Sequence, residues 1–237
     1  MNLNGAHVFI TGGSSGIGLE TVRVLNGRGA RVISGDVQPP LEEIAGVQNC
    51  IIDVTNCDSV TQAMREVSGE LHVLINNAGI MRRGRWQDTS PDDIQKQFEV
   101  NVRGSVNTLI AAIREGKLAP NAVIVQMCSI AGLHPAEQLA AYSLTKQMVH
   151  TLIELMRALR PDLPVIGVYP HAIETPMTRA GFASQEEYRQ QAFDKWGCVT
   201  KPEDLAVVIA DAIEDDKAKN VHWNQASRKH GLSYTQD

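Results

Sequence analysis

An α/β fold, a doubly wound parallel sheet with helices on both faces, follows from three observations. Short apolar runs rich in Val and Ile alternate along the chain with longer amphipathic stretches. Several of those runs are apolar at consecutive positions, as strands covered on both faces require. A glycine-rich run, Thr11-Gly12-Gly13-Ser14-Ser15-Gly16-Ile17-Gly18, sits between the first strand-like run and the first helix-like stretch.

In order, Ala6–Ile10 reads as a strand and Ile17–Arg28 as a helix. Arg31–Ser34, Cys50–Ile52 and His72–Ile75 read as three more strands, with a helix near Asp58–Val67 before the last. Between Asp36 and Asp53, Pro39-Pro40 and Leu41–Ala45 leave room for one or two helical turns only. A long helix is predicted from Pro91 to about Arg114. Ser90 can cap it, Pro91 suits its first turn, and Asp92 and Asp93 complement its dipole. Strand Ala122–Met127, helix Ala140–Leu159, strand Val165–Tyr169 and helix Pro202–Ile213 follow, the last with Thr200 and Glu203 at capping-box spacing. Asn220–Trp223 reads as a short edge strand ahead of a polar, partly mobile tail, 224–237. With no linker, repeat or low-complexity segment, residues 1–237 are expected to form a single domain.

Composition narrows the function. A net charge of -5 and an isoelectric point near 5.8 argue against nucleic acid or an anionic membrane as partner. No apolar run approaches the ~18 residues of a membrane span, and Met1–Gly5 does not begin a signal peptide. The 4 cysteines lack C-x-x-C spacing and the 7 histidines are scattered, so reduced thiols, a cytoplasmic location and no metal are expected.

The glycine-rich run has the context of a dinucleotide site. Glycines let the backbone approach a diphosphate, and the helix that follows offers free N–H groups and a favourable dipole. Eighteen residues beyond Gly18, Asp36 ends the second strand. A carboxylate there can accept bonds from the adenosine ribose hydroxyls and would repel a 2′-phosphate, and no Arg or Lys at Gly13–Ser15 counters it. NAD is therefore expected rather than NADP. Further on, Tyr142 and Lys146 lie at i and i+4 of a helix, so the ammonium can lie close to the phenol.

Taken together, Thr11-Gly12-x-x-x-Gly16-Ile17-Gly18, Asp53-Val54, Asn76-Asn77-Ala78-Gly79, Asn101, Ser129, Tyr142-x-x-x-Lys146 and Pro170-x-x-Ile173-x-Thr175 resemble the short-chain dehydrogenase/reductase family over roughly residues 5–210. The resemblance implies a Rossmann-type fold and an NAD(P)-dependent oxidoreductase. It implies cofactor contacts from Gly12, Ser14, Ser15, Gly16, Ile17, Gly18 and Asp36. Asp53 and Val54 would flank the adenine; Asn77, Ala78 and Gly79 would line the ribose, Asn77 foremost; Pro170, Ile173 and Thr175 would meet the nicotinamide. Tyr142 would exchange a proton with the substrate oxygen, its pKa lowered by Lys146 and the cationic ring. Ser129 would bond the same oxygen, Lys146 would also hold the nicotinamide ribose, and Asn101 would hold a water linking Lys146 to solvent. Ser129 and Tyr142 are thus the substrate contacts, and Asn101, Ser129, Tyr142 and Lys146 the catalytic set.

Two departures stand out. His171 occupies the place of the family's usual glycine after Pro170, which leaves either a changed turn with a titratable group near the nicotinamide or a tolerated surface imidazole. The C-terminus lacks the usual glycine-rich turn, so a homodimer through the Pro91–Arg114 and Ala140–Leu159 helices is expected and a tetramer is less well supported. The segment 176–200 stands where the family carries its substrate-covering loop. Met177, Phe182, Tyr188, Phe193 and Trp196 give it an apolar side suited to a secondary alcohol or ketone, and His134 and Gln138 are placed to reach the same pocket. The competing reading is an NAD(H)-sensing regulatory protein; an epimerase or dehydratase would need a substrate domain for which there is little room.

Overall fold

Alternation of side chains along each strand divides the core into two layers. The computed structural model describes residues 1–197 and 199–223, without the side chains of Lys195, Trp196 and Trp223. Its strands are β1 His7–Thr11, β2 Arg31–Asp36, β3 Gln48–Ile51, β4 Leu71–Asn76, β5 Leu118–Met127, β6 Val165–Pro170 and β7 Asn220–Trp223. All pair in parallel, in the order β3-β2-β1-β4-β5-β6-β7. Val8 and Ile10 of β1, Val73 and Ile75 of β4 and Ile166 and Val168 of β6 face one layer. Phe9, Leu74, Val165 and Tyr169 face the other. Helices α1 Gly16–Gly27 and α8 Pro202–Glu214 cover the first layer through Val22, Leu25, Leu205, Ile209 and Ile213. Helices α2 Cys57–Glu66, α4 Gly104–Arg114 and α5 Ala140–Leu159 cover the second through Val60, Met64, Leu109, Val149 and Ile153. Each fully buried aliphatic side chain contributes about 1.5–3 kcal/mol, so the central strands carry much of the stability.

The strand order reverses between β1 and β4. The chain moves outward from β1 to β3 and then returns to the other side of β1, which opens a crevice at the carboxyl ends of those two strands.

Four expectations need correction. Residues 41–45 form bends and turns, not a short helix, after the two prolines. The long helix is broken into α3 Pro91–Phe98, a π-helical turn Glu99–Arg103, and α4. Thr200 does not cap α8: its backbone bridges to Ile173, bonding to Ala172 and Glu174, so Lys201 becomes the N-cap with Pro202 at the first turn. β5 begins at Leu118, four residues before the predicted start. Ser90 caps α3 as expected, its hydroxyl accepting the Asp93 N–H at 3.1 Å. Segment 176–200 holds a short helix α6 Pro176–Arg179 and α7 Gln185–Trp196. β7 takes the predicted edge position, whereas the polar segment 224–237 lies outside the described residues. Among the described residues no helix is long and apolar enough to cross a membrane, and no cluster of His, Cys, Asp or Glu could hold a metal ion.

Candidate active site

The crevice at the strand reversal is a cleft of about 390 Å³. One end is built from the β1–α1 turn. Gly12 has φ +69°, and a Cβ on it would stand 2.8 Å from the Ala78 Cα; a Cβ on Gly18 would strike the Gly12 carbonyl oxygen. Only glycine lets β1, α1 and the turn after β4 approach this closely. Ser15 opens α1 with extended backbone; no side chain caps the helix and its first turn carries no acidic residue. The first-turn N–H groups are therefore open to an anion such as a diphosphate, which is the fit a dinucleotide requires.

Gly12, Ser15, Gly16, Ile17 and Gly18 line this end, with Asp36 at its rim. The Asp36 carboxylate is positioned by backbone donors, accepting from Ser14 N and Gln38 N, each at 3.1 Å. Ser14 itself is not in the lining: it is buried, and its hydroxyl donates to the Gln38 carbonyl at 2.7 Å, making it a support for Asp36. Asp53 and Val54 line the cleft beside Asp36, joined by Val37 and Ile52, whose apolar character gave no separate signal in the sequence. Asn77, Ala78 and Gly79 line the middle. The Asn77 amide nitrogen is spent on the Thr11 and Gly12 carbonyls, at 3.0 and 2.9 Å, so it clips β4 to the glycine turn.

Ser129, Tyr142, Lys146, Pro170, Ile173 and Thr175 line the far end. Ser129 follows β5; its hydroxyl accepts from Ala131 N and faces the phenol of Tyr142. Lys146 is only 4% exposed and donates to the Met127 carbonyl at 2.9 Å; its nitrogen lies 5.7 Å from the Tyr142 ring centre. Burial pushes the Tyr142 phenol well above its ordinary range, with the Ser129 hydroxyl pulling the other way, and burial lowers the Lys146 ammonium. The lowering of the phenol expected from Lys146 is not found in the protein alone, where desolvation dominates. Thr175 caps α6 through a capping box with Thr178.

Asn101 sits inside the π-helical turn, 1% exposed. Its side chain accepts from Ile80 N at 2.7 Å and donates to the Ile80 carbonyl and the Thr145 hydroxyl. It therefore ties the loop after β4 to α5, next to Lys146, and is not itself in the cleft lining. A π turn is the usual mark of a functional interruption in a helix. Beneath it, Ser105 donates to the Asn101 carbonyl and accepts from Gln126, whose oxygen accepts from Asn76.

His171 also lines the cleft. Among the described residues Asn121 is the one non-glycine with positive φ, so His171 is accommodated without left-handed strain. Of the apolar residues in 176–196, Met177 reaches the cleft, Tyr188 is buried with its hydroxyl on the Ile173 carbonyl, and Phe193 is exposed. Gln138 is not in the lining; its carbonyl accepts from Gly84 N. Phe182 packs edge-on against Tyr188 and carries the Arg83 guanidinium over its ring at 4.4 Å. Arg83, in the loop after β4, thus latches the segment that covers the cleft. Arg83→Ala should raise KM for the substrate by about twofold to thirtyfold, more than it lowers kcat, as loss of one cation–π contact implies. Steady-state kinetics of that variant beside Arg83→Lys checks this.

Comparison with known proteins agrees with this architecture. The family described as short chain dehydrogenase matches residues 6–186. A 3-beta-hydroxysteroid dehydrogenase of Comamonas testosteroni is 27% identical over 236 residues, 91% of each chain. An uncharacterized oxidoreductase of Thermotoga maritima is 31% identical over 183 residues, 73% of this chain and 72% of its own. A short chain dehydrogenase of Burkholderia cenocepacia, solved in complex with NADP, superposes with a TM-score of 0.79 at 24% identity, covering 97% of this chain and 92% of its own; it speaks for the fold. A parallel sheet reversing at β1, a glycine turn that tolerates no side chain, and a family match across most of the chain lead to one conclusion: the protein belongs to the short-chain dehydrogenase/reductase family of oxidoreductases.

Proposed function

We propose that this chain is an NAD-dependent oxidoreductase that moves hydride between nicotinamide and a secondary alcohol or ketone, with Tyr142 as the acid and base. One observation carries the reading: Ser129, Tyr142 and Lys146 line the same cleft as the uncapped start of α1 and Asp36. A dinucleotide bound along that cleft supplies the hydride acceptor or donor and, when oxidised, a positive charge beside the phenol. Gly12, Ser15, Gly16, Ile17 and Gly18 hold its diphosphate, Asp36 its adenosine ribose, and Asp53 and Val54 its adenine. Asn77, Ala78, Gly79 and Lys146 hold the second ribose, and Pro170, Ile173 and Thr175 the nicotinamide. Ser129 donates to the substrate oxygen, and Tyr142 takes or gives its proton. Lys146 lies close enough to favour the phenolate once desolvation of the phenol is offset by a cationic ring. Asn101 keeps α5 and the loop after β4 in register around Lys146. Asp36 favours NAD over NADP, since a carboxylate bonded to the adenosine ribose would repel a 2′-phosphate.

The same reading makes the protein a cytoplasmic homodimer. Ile110 and Ile113 on α4 and Leu144, Met148 and Leu155 on α5 are exposed apolar residues that a second copy would cover. A screen of secondary alcohols with NAD, followed by NADH absorbance, tests the activity. Turnover of at least one class is expected; cofactor binding with no turnover across a broad panel would favour a regulatory protein instead.

A further inference from the structure

β6 leaves the sheet at Pro170, and the next residue, His171, lines the cleft together with Ser129 and Tyr142. Two residues back along β6, rings from three elements meet at Tyr169. Tyr169 is 1% exposed and lies flat on His222 of β7, centroids 4.8 Å apart and planes at 11°, as their pairing in the β6–β7 register dictates. Its hydroxyl meets Nδ1 of His150 on α5 at 2.8 Å. His134, in the loop between Ser129 and Tyr142 and expected to reach the pocket, is exposed and lies outside the cleft lining. His171 therefore stands in the cleft, while His222 and His150 meet at Tyr169. They lack the geometry of a metal site. What imidazoles do offer is an N–H donor and the capacity to take up a proton, the chemistry of an anion receptor.

Other charged and titratable groups lie on the elements around them among the described residues. On α5 lie Tyr142, Lys146 and His150, with Glu154 and Arg157 acting on Tyr169, and directly after β5 lies Cys128. Three carboxylates of these segments are engaged with arginines: Glu154 with Arg157, Glu174 with Arg189 and Glu137 with Arg85.

We infer that His171, with His222 on the adjoining strand, binds a carboxylate carried by the substrate, so that the preferred substrates are secondary hydroxy acids or the matching keto acids. This rests on the reading of the cleft as a hydride-transfer site. Burial and neighbouring imidazoles hold both His171 and His222 below the ordinary imidazole range, so the cluster resists charging on its own. A carboxylate entering beside it pairs with an imidazolium and reverses that balance. Anion and proton then bind together, and the preference for an acid is greatest at low pH and fades as pH rises.

The test pairs straight-chain hydroxy acids, differing in the spacing of carbinol and carboxylate, with their primary amides. The ratio of kcat/KM for acid over amide is measured with NAD from about pH 5.5 to about pH 9, and imidazole proton NMR of the enzyme is recorded with and without each acid. At least one acid should be favoured about tenfold or more at the acidic end, the ratio falling by up to about tenfold per pH unit above the imidazole range. The same acid should raise the pKa of two or more imidazoles. In His171→Gln the ratio should fall towards one, and His222→Gln should lower it in part; the wild-type NMR arm holds if either variant misfolds. Amides turned over as well as acids at every pH, or imidazole signals that no acid moves, overturns the inference and leaves hydride transfer to neutral alcohols standing. Raised imidazole pKa values with no turnover of acid or alcohol would support the anion site while removing the oxidoreductase reading.

Discussion

Tyr142→Phe lowers kcat by about a hundredfold to ten-thousandfold, the range that a positioned proton donor or acceptor contributes, while NADH binding is retained. The ring still fills its place in the cleft, so the loss is confined to one oxygen. Near-normal rates in this variant would assign the proton to another group. The pH dependence follows from the same group. Oxidation of an alcohol needs the phenol deprotonated, and burial holds that phenol above its ordinary range in the protein alone. The oxidation rate should therefore rise with pH, with an apparent pKa below that of the protein alone once the positive cofactor ring is bound. Reduction of the ketone needs the protonated phenol and should run best on the acid side. Measuring kcat in both directions across pH checks the sign, and a flat oxidation profile would contradict it.

Asp36→Ala narrows the NAD/NADP preference by about tenfold to a hundredfold, equivalent to losing a charge-assisted hydrogen bond worth about 1.5–3 kcal/mol. Because Asp36 also accepts the N–H groups of Ser14 and Gln38, the substitution loosens the turn and weakens both cofactors. The ratio, not either affinity alone, is the diagnostic quantity. Asp36→Asn keeps the shape and removes the charge, so it should move the ratio with less loss of affinity. Isothermal titration with both cofactors reads the two effects separately; an unchanged ratio would remove the ribose argument.

Much of this was legible in the sequence because it is local. Consecutive apolar residues in β1, β4 and β6 announce burial on both faces, and the glycine turn announces close approach of β1, α1 and Ala78. Features that depend on distant partners were not legible. The π turn at Glu99–Arg103 has no local signature; it exists because Asn101 bonds to Ile80 and Thr145, from two other parts of the chain. Thr200 has the right spacing for a cap, yet its backbone is taken by a bridge to Ile173. Ser14 looks like a phosphate contact in the motif and is turned inward by the Gln38 carbonyl. Arg83 and Phe182 lie almost a hundred residues apart, and His222 meets Tyr169 only because β7 closes the sheet beside β6. The 7 histidines look scattered along the chain, and the topology brings His150 and His222 together at Tyr169.

The most direct test is a crystal structure of the protein soaked with NAD. The diphosphate should lie on the first turn of α1, the adenosine ribose on Asp36, and the nicotinamide between Ile173 and Tyr142 with its reactive face towards the phenol oxygen. Dinucleotide density elsewhere on the molecule, or a Tyr142 hydroxyl turned away from a correctly seated ring, would contradict the account.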